Sequence, residues 1–101
     1  MSDAIAAARE EWAGARRAAQ AVLREPGALP EREQTLLRVG VLPQLEAAIA
    51  TLDEGGTAAQ LARWHAFLPG AIESLAGESG LDPGLETARD HVRRGLDALE
   101  R

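Results

Sequence analysis

The sequence from Thr35 to Ala76 reads TLLRVGVLPQLEAAIATLDEGGTAAQLARWHAFLPGAIESLA. Residues 35–52 and 57–76 each contain two charged side chains, whereas the flanking segments are rich in Arg, Asp and Glu. Because unpaired charges are costly to bury, a segment with so few of them is favoured at the centre of a fold. The pattern therefore predicts a central hairpin of two helices, folded about Gly55-Gly56 and wrapped by two outer helices.

The first arm of this hairpin has the three- and four-residue spacing of an amphipathic helix. Pro30-Glu31 predicts where the helix begins, because a proline in the first turn loses no hydrogen bond. Gly55 predicts where it ends, because glycine readily adopts the backbone conformation of a helix C-terminus. The apolar positions of the arm are Leu37, Val41, Leu42, Leu45, Ala48, Ile49 and Leu52.

The second arm begins with the strongest local signal in the chain, Thr57-Ala58-Ala59-Gln60. A threonine followed three residues later by glutamine forms a capping box, in which each side chain bonds to the backbone N–H of the other residue. We expect the helix to end near Gly77. Its apolar stripe is predicted to comprise Leu61, Trp64, Leu68, Ala71 or Ile72, and Leu75.

Each arm also contains a proline, Pro43 or Pro69. Proline has no N–H to donate, and its ring clashes with the carbonyl four residues before it, so we expect each helix to bend or break there. The two prolines are almost equally far from the Gly55-Gly56 turn, which places them at similar heights in an antiparallel pair. Two tolerated kinks are the favoured interpretation, and a hollow between the helices is the alternative.

The first outer helix is predicted from a seam of alternating three- and four-residue steps that runs from Ile5 to Val22 through Trp12. Pro26-Gly27 predicts that this helix ends near Glu25. The same seam is found in coiled coils and inside helical bundles. We favour packing inside one molecule.

The last helix is predicted to begin at Asp82-Pro83, a capping residue followed by a proline. Its apolar face runs from Leu85 to Leu99 and includes Gly95, which either allows close helix contact or is simply tolerated. Short connections between four helices favour antiparallel neighbours. Residues 1–101 are therefore predicted to form a single all-α domain, an up-and-down four-helix bundle with proline-kinked central helices.

Composition narrows the class of function. The chain has no cysteine, which excludes a thiolate zinc site. Its formal net charge of −5 disfavours binding to nucleic acid. The sequence begins without the basic and apolar regions of a signal peptide, and no stretch reaches the ~20 apolar residues of a membrane span. We expect a cytoplasmic protein that binds neither nucleic acid nor membrane.

His65 is the first candidate for chemistry, because it borders the apolar stripe of the second arm. Folding the hairpin about its glycines places Glu46 opposite His65, which favours a half-buried ion pair or hydrogen bond. The functional alternative is a proton-transfer or phosphate-accepting histidine oriented by the carboxylate. Ala62 and Ala88, not Glu, stand three residues before the two histidines, so the Glu-x-x-His motifs of di-iron bundles are missing. We predict no metal site and no cofactor.

The segment His65-Ala66-Phe67-Leu68-Pro69-Gly70 resembles the His-x-Leu-Lys-Gly motif of histidine phosphotransfer domains, which are acidic four-helix bundles of similar length. The leucine and the glycine each fall one position late, and Pro69 replaces the phosphate-binding lysine. The resemblance covers six residues. It implies a phosphate-accepting role for His65.

The favoured prediction is a non-catalytic protein-interaction or adaptor module that forms a homodimer. A dimer is expected because the core is small and the alanine-rich seam of the first helix could face a second copy. Phe67 points away from the apolar stripe, so the last helix, a second copy or a partner protein should cover it, and we expect a partner or a second copy to do so. Phosphotransfer through His65 and small-ligand binding in the hollow are the alternatives. The candidate binding residues are Trp64, His65, Phe67, Leu68 and Glu46.

Overall fold

A computed structural model of the chain describes residues 3–25, 27–54, 57–77 and 80–100. Every regular element in these residues is helical, and they form four helices. The all-α prediction is confirmed, and the four helices are compatible with a bundle. The helices are α1 (Asp3–Arg24), α2 (Glu31–Glu54), α3 in two segments (Ala58–His65 and Leu68–Glu73) and α4 (Pro83–Glu100).

The most extensive contact between helices joins α1 to α4. The seam predicted for the first helix provides the α1 side of this contact, which confirms that it packs inside one molecule. The buried residues of α1 are Ala8, Trp12, Gly14, Ala15, Ala19 and Val22, and those of α4 are Leu85, Ala88, Val92, Gly95, Leu96 and Leu99.

Two glycines of α4 allow α1 to approach closely. Trp12 is fully buried, and its indole N–H donates a hydrogen bond to the carbonyl of Val92 at 3.3 Å. A Cβ atom at Gly95 would lie 2.5 Å from Cδ1 of Trp12, and a Cβ atom at Gly84 would collide with Val22. Of the two roles considered for Gly95, the structure therefore supports close helix contact.

The low-charge hairpin is not the centre of the fold, contrary to the prediction. Contacts between α2 and α3 are sparse beside those between α1 and α4. Trp64, predicted in the core, is 54% exposed. The reason is that His65 takes the inward position between the buried Leu61 and Leu68. Low charge in this chain therefore marks apolar surface as well as core.

Both prolines lie next to interruptions of regular α-helix. A π-helical turn, Leu37–Val41, immediately precedes the segment Leu42–Glu54 that contains Pro43. Turn residues 66–67 separate the two segments of α3, and Pro69 stands in the first turn of the second one. Pro69 thus occupies a first turn, where its missing N–H leaves no hydrogen bond unmade. Pro43 lies inside α2, directly after the π-helical turn, and removes one backbone donor there.

The predicted helix boundaries agree with the structure where residues are described, except that the second arm ends at Glu73 and not near Gly77. The capping box is present, since the Thr57 side chain accepts from Gln60 N–H and the Gln60 side chain accepts from Thr57 N–H. Helix α2 begins at Glu31, as predicted. The Gly55-Gly56 turn and Pro26 lie outside the described residues.

Replacing Gly95 by Ala should destabilise the fold. The added Cβ collides with the buried Trp12, and overpacking of this kind costs about 1–3 kcal/mol, more than the ~1 kcal/mol that alanine gains in helix propensity. Gly70→Ala is the matched control, because a Cβ there meets nothing within 4 Å. Urea unfolding of both variants tests this, and a Gly95→Ala protein as stable as the control would contradict it.

Candidate functional site

The five predicted binding residues divide between surface and interior. Trp64 and Phe67 are 54% and 49% exposed, and Glu46 is also exposed. Leu68 is fully buried and belongs to the core, while His65 is partly buried. The structure therefore leaves Trp64 and Phe67 as the large apolar side chains of this set that another molecule could contact.

His65 is held between α1 and α2. Its Nε2 lies 2.9 Å from Oγ1 of Thr51. Its ring packs against the Trp12 ring in a T-shaped arrangement, with the two centroids 5.4 Å apart. The Thr51 hydroxyl donates its single proton to the carbonyl of Ala48 at 2.7 Å. Its oxygen must therefore accept from His65, which places the imidazole proton on Nε2.

The predicted contact between Glu46 and His65 is wrong. Thr51, five residues further along α2, is the partner of His65. Glu46 lies on the exposed face of α2, whereas Thr51 precedes the buried Leu52 and borders the core. Counting residues from the turn gave an approximate height but not the direction in which each side chain points.

The second nitrogen of the His65 ring, Nδ1, is buried and has no hydrogen-bond partner among the described residues. Burial also lowers the pKa of His65, since a charged ring is poorly solvated there. One nitrogen is thus inaccessible and the other is committed to Thr51. This environment suits a neutral, structural histidine better than a phosphate acceptor.

A polar cluster on the surface of α1 and α4 was missed by the sequence analysis. Glu11 accepts from His91 Nδ1 at 3.1 Å and from Arg94 Nε at 2.6 Å. Partial burial raises the pKa of Glu11, but hydrogen bonds from Arg94 and His91 more than offset this, and the pKa is lowered. The His91 ring lies against Gly14. These partners are about eighty residues apart in sequence, so no local pattern indicates the cluster.

A cleft of about 670 Å³ lies where residues 28–33 meet residues 75–77 and 80–83. Its lining includes the apolar Leu29 and Leu75 and the acids Glu33 and Asp82. It is not the predicted hollow, because neither proline of that prediction borders it. Within the described residues, no three His, Cys, Asp or Glu side chains are grouped so that they could hold a metal ion.

The most unusual surface of the molecule lies on the hairpin. Its large apolar side chains, exposed by 41–65%, are Leu36 and Val39 of α2 and Trp64 and Phe67 of α3. We call these four residues the hairpin surface. Where such side chains lie together on the surface of a small protein, they commonly mark an interaction site.

Helix α2 is unusually apolar for a helix so exposed. By length and composition alone it could cross a membrane, with a mean hydropathy of 1.2, although we predicted no such stretch. Core helices of soluble proteins pass the same test, but here 33% of the apolar window is buried. Most of this window is therefore left for solvent or for another molecule.

Comparisons of the chain with protein-family models, with curated proteins and with solved structures found no match. The resemblance of residues 65–70 to a phosphotransfer motif therefore has no support from a family model. The function has to be inferred from the geometry and chemistry of the chain itself.

His65→Gln should make stability less dependent on pH between about pH 7.5 and about pH 5.5. Because burial lowers the pKa of His65 below its ordinary 6.5, the unfolded chain takes up the proton first. The contribution of the neutral His65 ring to the free energy of unfolding is complete above pH 6.5. It is lost as the pH falls from there toward the pKa of His65 in the folded chain. Glutamine keeps an N–H for Thr51 and does not titrate.

Thermal melts followed by circular dichroism at both pH values measure this difference. His91→Gln is the control, because it removes the other histidine and should retain the loss of stability caused by His65. Equal pH dependence of the wild type and His65→Gln would contradict the assignment.

Proposed function

We propose that this chain is a small, non-catalytic protein-interaction module of the cytoplasm, which forms a homodimer through the hairpin surface. One observation carries the proposal. The exposed large hydrophobic side chains of the described residues all lie on α2 and α3, none on α1 or α4. Burying a fully exposed side chain of this kind is worth roughly 1.5–3 kcal/mol. The four residues are 41–65% exposed, so covering each of them recovers about half of that value, and together they favour association.

The proposal includes an up-and-down bundle in which Pro43 and Pro69 bend α2 and α3. Contacts of α1 with α2 and α4, and of α3 with α4, support a ring of helices in chain order. The π-helical turn before Pro43 and the interruption before Pro69 support bending at these points. Such bends would bring the exposed parts of both arms to one region of the surface.

The surface used for dimerisation differs from the one first expected. The alanine-rich seam of α1 is covered by α4 of the same chain, so it cannot face a second copy. The hairpin surface fits the composition of an interface core, which is enriched in aromatic residues and poor in charge. Trp64 and Phe67 provide the aromatic groups. Residues 35–52 and 57–76 provide the low charge.

A membrane is a less suitable cover for α2 than another protein surface. Arg38 and Glu46 both lie within five residues of the midpoint of the helix. A charged side chain near the centre of a spanning helix costs about 2.5–3.5 kcal/mol even on insertion scales. Both charges can remain solvated at the edge of a protein interface.

The alternatives have weaker support. Phosphotransfer needs an accessible nitrogen, whereas His65 donates Nε2–H to Thr51 and buries Nδ1. Binding of a small ligand between Pro43 and Pro69 needs a cavity there, whereas the 670 Å³ cleft is lined by other residues. Neither alternative accounts for the exposed aromatic side chains.

Phe67→Ala should weaken self-association and leave the isolated monomer almost as stable as the wild type. Phe67 is half exposed, so truncation removes little burial inside one chain. At an interface, loss of an aromatic anchor typically raises Kd by about tenfold or more. Leu68→Ala is the matched neighbour: its fully buried side chain should cost about 2–5 kcal/mol of monomer stability.

Sedimentation at micromolar concentration measures the association, and melts at low concentration measure the monomer. A wild-type protein that stays monomeric would remove the dimer from the proposal. Co-sedimentation of that monomer with phosphatidylcholine vesicles would assign the hairpin surface to a membrane instead. A large loss of monomer stability in Phe67→Ala, with association intact, would show that Phe67 belongs to the core.

A further inference from the structure

We infer that two copies of the chain pair through α2 in an antiparallel arrangement, about a two-fold axis near Pro43, with Arg38 of each copy beside Glu46 of the other. This inference rests on the proposed function. It adds which helix lies at the axis and in which register the copies meet.

Helix α2 has a second apolar face in addition to the one that enters the core. Pro43, Ala47 and Ala50 are exposed together with the large side chains Leu36 and Val39. From Pro43 to Ala50 the steps of four and three residues are those of one α-helix face, and Leu36 and Val39 precede this face at the π-helical turn. A helix that is apolar on opposite faces is typical of buried positions, so we expect another surface to pack on this second face.

The sizes of these side chains are complementary in one register. In an antiparallel pair centred on Pro43, positions equally far from Pro43 on either side face each other. Val39 lies four residues before it and Ala47 four after; Leu36 lies seven before and Ala50 seven after. Each large side chain thus meets an alanine, which is the interlocking that close helix packing requires.

The charges are complementary in nearly the same register. Arg38 lies five residues before Pro43 and Glu46 three after, so their pairing differs from the apolar register by one residue on each helix. Both are exposed, and neither forms an ion pair within the part of the chain described here. Within one copy they are about 12 Å apart along the helix, too far to pair.

A two-fold axis makes every such contact occur twice, because an isologous interface uses the same patch on both copies. The dimer therefore contains two Arg38–Glu46 pairs. A parallel pair would instead place like charges together, arginine with arginine and glutamate with glutamate. The middle of α2, residues 34–52, carries one residue of each sign, Arg38 and Glu46, which favours the antiparallel arrangement and a second copy as the occupant.

Charge reversal tests the register directly. Arg38→Glu alone, or Glu46→Arg alone, should raise the Kd of the dimer about tenfold at low salt, because both pairs become repulsive. The double variant R38E/E46R should restore the wild-type Kd. An equimolar mixture of the two single variants should form mixed dimers more tightly than either variant associates with itself, since both pairs are then attractive.

The control is the same experiment on α1, with Arg17→Glu, Glu10→Arg and their combination, at two exposed positions of similar spacing. These variants should leave Kd unchanged. Circular dichroism confirms that every variant folds. A dimer that Phe67→Ala weakens but that no α2 charge reversal affects would overturn the register and leave the proposed function standing. A monomeric wild type would overturn both.

Distances between spin labels provide a second readout. The chain has no cysteine, so Gln44→Cys and Ala50→Cys each give one label per copy on the exposed side of α2. In the antiparallel arrangement the separation along the helices grows by roughly 3 Å for each residue away from the axis. The two labels at position 50 should therefore be about 18 Å further apart along the helices than those at position 44, and their measured distance should be clearly longer. Equal distances at both positions would mean a parallel pair and would overturn the inference.

Discussion

The packing of Trp12 against Gly95 is the contact on which the rest of the fold depends. It brings α1 and α4 close enough for their small residues to interlock, and it orients the indole so that its N–H reaches the carbonyl of Val92. The same indole packs against the ring of His65 in α3. One buried aromatic side chain thus connects three of the four helices.

The close approach of α1 and α4 explains why the other two helices have exposed apolar side chains. Alanine and glycine at the α1–α4 contact bury little area per residue, so one face each of α2 and α3 completes the core. Leu36, Val39, Trp64 and Phe67 then have no place inside the chain. The apolar content of the hairpin exceeds what a core of this size can enclose.

Local features of the fold could be predicted from the sequence, and relations between distant residues could not. The capping box at Thr57 and the seam through Trp12 depend on residues within a few turns, and both are present. Whether Trp64 or His65 points inward depends on which side chains of α1 lie opposite them. The spacing of apolar residues in α3 does not indicate this. The cluster of Glu11 with His91 could not be predicted for the same reason, because it joins residues of two helices that are distant in sequence. A low-charge helix face can lie in the core or on the surface, and the sequence alone does not distinguish the two.

The contact between Trp12 and Val92 joins residues that are eighty positions apart. Val92 is synthesised after the whole of α1, α2 and α3, so during synthesis this contact can form only once α4 has emerged. During synthesis the hairpin emerges before α4, and its inner and outer apolar faces are then exposed together. Nascent chains on one messenger RNA are therefore at risk of aggregating through α2, and chaperone binding at this stage would protect the same residues that the finished molecule leaves uncovered.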